Sequence, residues 1–302
     1  MVKNILKWQG GKSDLLYGDI GKKFPKELYD PTQDITFIDA MTGGGSVFLY
    51  VLQNCPGVKR ILINDYNYKL IELYYTIKTD VTELINLTKL LEDGYSKADN
   101  KEEYYYRARD RYNELTSWEY KKRASITLFL NRAGYNGLYR ENSKGLYNVP
   151  WGKKENVNIL FENDLLETNK LMNKNVEVKF SVGDYSWTER YITKGNTFIY
   201  LDPPYRPLKK ASTESFTSYC KCPFNDDSQT KLRDFCTYIG NKYNTRIMVS
   251  NSYDPDDDFI EKLYKNFSVS QITAVRSSGG KNAKRGSILE NLIVNYEYDK
   301  KK

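Results

Sequence analysis

The 302-residue chain contains no histidine. Imidazole general bases, serine–histidine triads and histidine-ligated metals are thereby excluded, so proton handling falls to carboxylates, lysine, tyrosine or backbone groups. Cysteine is nearly as scarce. Cys55, Cys220, Cys222 and Cys236 are too few and too scattered for a disulfide framework, and Cys220 with Cys222 has neither zinc-knuckle spacing nor a histidine to complete a site. No metal is expected. No apolar run approaches the roughly 20 residues that span a bilayer, and Met1-Val2-Lys3-Asn4 opens no signal-peptide core, so a soluble intracellular protein is expected. What remains is an ordinary globular balance, 40% hydrophobic and 28% charged, long enough for one large domain or two smaller ones. The net charge of +7 is compatible with a polyanionic partner but does not demand one.

The most informative stretch is Thr197-Phe198-Ile199-Tyr200-Leu201 followed by Asp202-Pro203-Pro204-Tyr205. A β-branched and aromatic run ending in a carboxylate and two prolines reads as a buried strand stopped abruptly. In open α/β sheets ligands gather at the carboxyl ends of strands, and prolines leave carbonyls available as acceptors. A carboxylate, a carbonyl and a tyrosine face fit a planar ring with an exocyclic amine, and adenine answers that description. The plainer alternative is a Pro-Pro turn with Asp202 capping backbone.

Earlier, Ile35-Thr36-Phe37-Ile38-Asp39, Thr42-Gly43-Gly44-Gly45 and residues 46–52 read as strand, glycine loop and helix, the first unit of a nucleotide-binding α/β fold. The second strand, residues 60–64, ends at Asp65. An acid there typically binds ribose hydroxyls, although capping the following helix is the alternative. No dinucleotide fingerprint is present, so the expected ligand is an adenosine derivative without a pyrophosphate, with Asp39 facing the amino group of an attached amino acid. Lys7-Trp8-Gln9-Gly10-Gly11-Lys12-Ser13 resembles a P-loop only superficially, since Leu6 stands where that motif needs glycine. A lid with Lys12 meeting a carboxylate fits better.

Residues 68–133 predict three or four helices, with Leu84, Leu87, Leu90 and Leu91 on one face and a basic, aromatic stretch at 101–111 able to lie along phosphates. Residues 131–152 predict a β-hairpin of two short aromatic strands around Asn142-Ser143-Lys144-Gly145, exposing asparagine and arginine, which pair with base edges in a major groove. A helix at 164–172, a strand at 176–182 ending in Gly183-Asp184-Tyr185, a long loop at 206–226, a helix to Tyr243 and a strand at 246–250 follow. Two antiparallel edge strands, 269–275 and 292–296, flank a basic linker at 276–285.

With these motifs in this order, nearly the whole chain resembles the Dam-like DNA adenine-N6 methyltransferases, the D12 class with alpha-type motif order. Residues 202–205 resemble the family's catalytic motif, 7–12 its opening, 42–48 its glycine loop, Gly183-Asp184-Tyr185 its Gly-Asp-Phe site and 131–152 its recognition hairpin. The resemblance implies a Rossmann-like α/β sheet, residues 1–66 and 164–302, with an inserted, mainly helical target-recognition domain, 67–163, carrying the hairpin. It also implies S-adenosyl-L-methionine as cofactor, double-stranded DNA as partner, commonly at GATC, and the cytoplasm of a bacterial or phage-infected cell. The implied catalytic residues are Asp202, Pro203 and Tyr205. Cofactor contacts fall to Trp8, Gly11, Lys12, Asp39, Gly43, Gly45, Asp65, Asp184, Tyr185 and Asp202; DNA contacts fall to Tyr135, Asn136, Leu138, Arg140 and Pro150. The chain departs from the pattern at Ala40-Met41, where the family usually has Pro-Phe, at Ala133, where a histidine is common, and at residues 251–254. The competing expectations are a methyltransferase for another planar amine, such as cytosine N4, RNA or a protein amide, and a non-catalytic DNA-binding relative.

Overall fold

The computed structural model describes residues 2–206, 224–275 and 287–298. Cys220, Cys222, most of the loop at 206–226 and the basic linker at 276–285 lie outside the described residues.

Helix α1 (Ser13–Leu15) precedes a repeating strand–helix order: β1 (Ile35–Asp39), α2 (Ser46–Asn54), β2 (Val58–Asp65) and α3 (Tyr68–Thr79). Helices α4 (Val81–Lys97), α5 (Lys101–Glu114), α6 (Tyr120–Ala133) and α7 (Glu162–Asn173) follow. Then come β3 (Glu177–Val182), β4 (Thr197–Leu201), α8 (Asp226–Tyr243), β5 (Arg246–Ser252), α9 (Phe259–Leu263), β6 (Ser268–Val275) and β7 (Ser287–Val294). The strands form one sheet in the order β3-β2-β1-β4-β5-β7-β6, parallel except for β7, which runs antiparallel between β5 and β6. The expected antiparallel pair stands at one edge of the sheet, with β6 outermost and β7 inside it. No helix among the described residues is long and apolar enough to cross a membrane.

Alternation along the central strands explains both layers. Phe37, Ile61, Ile63, Phe198, Tyr200, Met248 and Leu292 enter one core, which runs on without interruption into α2, α3, α4, α5 and α6. Ile38, Leu62, Ile199, Leu201, Ile247, Val249 and Ile293 enter the other, against Leu232, Cys236 and Ile239 of α8 and Ile260 of α9. Burial on both faces is why β1 and β4 read as unbroken apolar runs. Each buried aliphatic or aromatic side chain contributes roughly 1.5–3 kcal/mol.

Two expectations need correcting. In α4 the buried face is Val81, Leu84, Ile85, Thr88 and Tyr95, whereas Leu90 is 68% exposed. Leu90 sits two residues past Thr88, about 200° around the helix, so it turns away from the core. Residues 134–152 fold back antiparallel without regular strands: isolated bridges join Gly134 to Trp151 and Glu141 to Tyr147, and a 3-10 turn spans Tyr135–Gly137. Positive φ at Asn136 and Gly137 breaks the ladder that the aromatic spacing predicts. Helix α3, expected to open the insertion, packs on β2 and β3 as well as on α6. The basic stretch of α5 is paired with carboxylates, Arg107 with Glu103 on the same helix and Arg111 with Glu119 in the turn that follows.

Candidate active site

Successive crossovers carry β1, β2 and β3 one way and β4 and β5 the other, so the sheet reverses between β1 and β4. Asp39 ends β1 in register with Tyr200, and Asp202 lies just beyond the end of β4. Two carboxylates therefore flank the crevice where α/β sheets bind ligands. Pro203 and Pro204, lacking N–H groups, stop the strand there.

Lys12 and Glu290, from distant parts of the chain, and the nearby Tyr205 meet at Asp202. Lys12 is almost wholly buried, and its Nζ lies 3.0 Å from Asp202 Oδ2 and 3.9 Å from Glu290 Oε2. Its ammonium also donates to the Gly10 carbonyl at 2.6 Å, and its backbone N–H donates to Ser46 Oγ at the start of α2. Tyr205 donates its hydroxyl to Glu290 Oε2 at 2.8 Å, with the Lys12 ammonium 4.9 Å from its ring centre. The carboxylate that Lys12 meets is the protein's own Asp202. Behind the turn, Gln229 of α8 donates to the Pro204 carbonyl and accepts from Asn251 of β5, which braces the proline turn and leaves Pro203 as the candidate acceptor beside Asp202.

Burial, foremost, raises the Asp202 carboxyl above the ordinary carboxylate range; Lys12 opposes the shift and Glu290 adds to it. Burial pushes Asp39 well above its usual value, against the Phe48 N–H, with Asp202 and Asp65 adding repulsion. Asp65 is raised by burial too, against the N–H groups of Asn67 and Gly43. The Tyr205 hydroxyl is pushed well up by burial and by both neighbouring carboxylates, so it stays a donor at neutral pH.

The glycine loop is built around Trp8. A Cβ on Gly44 would come within 2.3 Å of the Trp8 Cβ, and Gly45 sits at φ 80, so any other residue would displace the indole or strain the turn. This puts an aromatic ring on the loop although Ala40-Met41 replace Pro-Phe nearby. Asp65 Oδ2 accepts from Gly43 N at 2.8 Å and Oδ1 from Asn67 N, tying the loop to β2, while Tyr74 donates to the Gly43 carbonyl. Helix α3 is capped by Asn67, not Asp65. Asp39 Oδ2 accepts from Phe48 N at 3.1 Å. Gly11 closes the turn after Trp8 by donating to its carbonyl. Farther along this edge, exposed Asp184 accepts from Ser186 N, and Tyr185 packs edge-on against Phe235.

The expected reading residues all lie on the segment 134–152. Tyr135, Asn136, Arg140 and Pro150 are exposed, Leu138 is half-buried, and Arg140 donates to Asn148 Oδ1 at 2.8 Å. Beneath them, Tyr139 donates to Glu141, which pairs with Lys69 of α3; Tyr147 donates to the Leu138 carbonyl, and Tyr105 to the Val149 carbonyl. Asn131 joins this segment to the site: it accepts from Lys7 N, donates to the carbonyls of Lys7 and Gly137, and so holds the stretch leading to Trp8 and Lys12.

Glu290, Gln229 and Asn251 belong to no motif that marks them in the sequence as site residues. The apolar run predicts a last strand from Leu292, whereas β7 starts at Ser287. The missed signal was a glutamate two residues before Leu292, hence on the same inward face.

The family model of the D12 class N6 adenine-specific DNA methyltransferases matches residues 8–278. The type II methyltransferase M.MjaIII of Methanocaldococcus jannaschii is 40% identical over 299 residues, 98% of this chain and 99% of that protein. The type II methyltransferase M1.LlaDCHI of Lactococcus lactis is 33% identical over 298 residues, 98% and 96% of the two chains. A DNA adenine methylase of Haemophilus influenzae is 30% identical over 290 residues, 96% and 92%. On the fold, the charged cluster at the end of β4 and a match that leaves out little but the two ends, the chain belongs to the D12 class of N6 adenine-specific DNA methyltransferases.

Proposed function

We propose that the chain methylates N6 of an adenine rotated out of duplex DNA, with Asp202 and the Pro203 carbonyl accepting the amine's two hydrogens and Tyr205 stacking on the base. The observation that carries this reading is Asp202, fixed past the end of β4 at the reversal of the sheet with a cation already against it. The N6 lone pair is delocalised into the ring, so the free amine is a poor nucleophile. Two acceptors draw it toward a tetrahedral shape, localise the pair, and stabilise the positive charge that grows on nitrogen. An ordinary carboxylate suffices because the amine becomes strongly acidic only as the new bond forms, and the proton it then loses, balancing the methyl gained, passes by way of Asp202 to solvent. Stacking on Tyr205 offsets an unstacking cost of a few kcal/mol.

S-adenosyl-L-methionine supplies a methyl group on a sulfonium. The residues present fit it: Asp39 feels repulsion from both Asp65 and Asp202, and a ligand with an ammonium and a sulfonium relieves that repulsion. Asp39, Asp65 and the glycine loop with Gly43 and Gly45 hold it, Trp8, Gly11 and Lys12 cover it, and Asp184 and Tyr185 take its adenine. Residues 67–163 act as the target-reading part, with Tyr135, Asn136, Leu138, Arg140 and Pro150 on the bases. GATC is the proposed target and the cytoplasm the proposed location.

Transfer of tritiated methyl from S-adenosyl-L-methionine to unmethylated duplex oligonucleotides, with and without GATC, followed by nucleoside digestion, tests this. Label in N6-methyladenine confined to GATC duplexes is expected. Label in cytosine, or none despite cofactor binding, overturns the assignment; label outside GATC overturns the target alone.

A further inference from the structure

Resting on the functional reading above, the geometry points to Glu290 as a positioning residue for methyl transfer: it receives the Lys12 ammonium when the target amine takes Asp202, and it fixes the far end of the Tyr205 ring. In the structure Asp202 is not ready for an amine, because Lys12 Nζ stands 3.0 Å from Oδ2. A carboxylate oxygen engaged by a full positive charge is a weaker acceptor, and a cation beside N6 opposes the charge that develops there during transfer. Transfer is therefore favoured when the ammonium shifts away from Asp202. It is buried, and a buried cation deprived of its partner is strongly disfavoured.

Glu290 is the second partner. Its side chain is 8% exposed, its Oε2 lies 3.9 Å from Lys12 Nζ, and the Gly10 carbonyl holds the ammonium at 2.6 Å, so a small rotation exchanges one carboxylate for the other without bringing lysine into water. The same oxygen accepts the Tyr205 hydroxyl at 2.8 Å, and Tyr205 directly follows the proline turn. Glu290 thus couples the position of the ring that stacks on the base to the position of the charge that clears it. Backbone pairing on both sides, to Ser252 of β5 and Ile272 of β6, keeps the residue from drifting.

The test compares the protein with its Glu290→Gln variant in single-turnover methylation of a duplex oligonucleotide, with KM for cofactor and DNA and the rate followed across pH. Glutamine still accepts from Tyr205 but offers the ammonium no charge. The rate is expected to fall roughly 10- to 100-fold with both KM values within about threefold. The groups facing Asp202 are Lys12 from the N-terminal segment, Asp39 of β1, Tyr200 of β4, Tyr205, and Glu290 of β7. Glu290 raises the Asp202 carboxyl, so its neutral replacement moves the acid limb of the rate profile to lower pH, which a loss of packing alone does not do. A rate within twofold of the original with an unmoved limb overturns the inference, as does a loss confined to KM. If Glu290→Gln does not fold, Glu290→Asp decides: too short to reach both partners, it is expected to slow transfer at unchanged KM, and a full rate overturns the inference. An original protein that binds duplex DNA yet methylates no adenine defeats the functional reading itself, a result distinct from an active protein with an indifferent E290Q variant.

Discussion

Around Asp202 the charged groups are buried and hold one another; on residues 134–152 the polar side chains stand in solvent and are held from beneath. Lys12, Glu290 and Tyr205 reach the first region from three separate parts of the chain, and each has a named partner there. In the second, Tyr139, Tyr147 and Val149 are buried while Tyr135, Asn136, Arg140 and Pro150 face outward. The chemistry of drawing hydrogens from an amine is the same whatever DNA sequence surrounds it, so its groups can be built into the buried framework, where even the Lys12 ammonium passes only between buried partners. Reading a sequence needs side chains that can be exchanged without disturbing what carries them. Tyrosines below the loop hold its backbone, and the residues above it bear no load in the core.

The comparison is broken most severely at Asp202. Asp202→Asn keeps the shape but loses the charge, and methyl transfer is expected to fall by about 10³-fold or more with DNA affinity retained, as measured by label transfer alongside a binding titration. In the original protein the rate should decline on the acid side already above the ordinary carboxylate range, because burial raises Asp202 and the protonated acid is a weaker acceptor with no charge to oppose the one growing on N6. Next comes the underside of the loop. Tyr147→Ala removes a buried ring that donates to the Leu138 carbonyl, and should lower stability by about 3–5 kcal/mol in a denaturant titration. The exposed side is gentler: Arg140→Ala should cost about 1–3 kcal/mol in discrimination between the preferred duplex and a single-base variant, with the melting midpoint unchanged. The smallest effect is expected at the Asn67 cap of α3, where alanine should cost about 1 kcal/mol of stability. An Arg140→Ala protein that melts early, or a Tyr147→Ala protein that keeps its stability and loses only discrimination, would erase the distinction.

Those effects also mark what could be read from the residues alone. The strands around Phe37 and Phe198 were legible because a parallel sheet buried on both faces writes unbroken apolar runs. Lys12 against a carboxylate was legible because glycines on its N-terminal side leave little but a close approach to explain it. Glu290 was not, since a charged residue at the start of a strand resembles a strand boundary until its neighbours across the sheet are known. The loop at 134–152 read as a ladder because aromatic alternation survives there, but Asn136 and Gly137 turn the backbone left-handed and spend the alternation on burying tyrosines beneath.

The antiparallel β7 has a consequence for how activity comes into being. Lys12 and Glu290 are far apart in sequence, and Glu290 is held at the site by a strand paired with β5 on one side and β6 on the other. Contacts between residues so distant in sequence cost loop entropy before they compensate for it. A chain in which β7 is unpaired lacks Glu290 beside Lys12 and Tyr205. The cluster at Asp202 is therefore whole only when the sheet is.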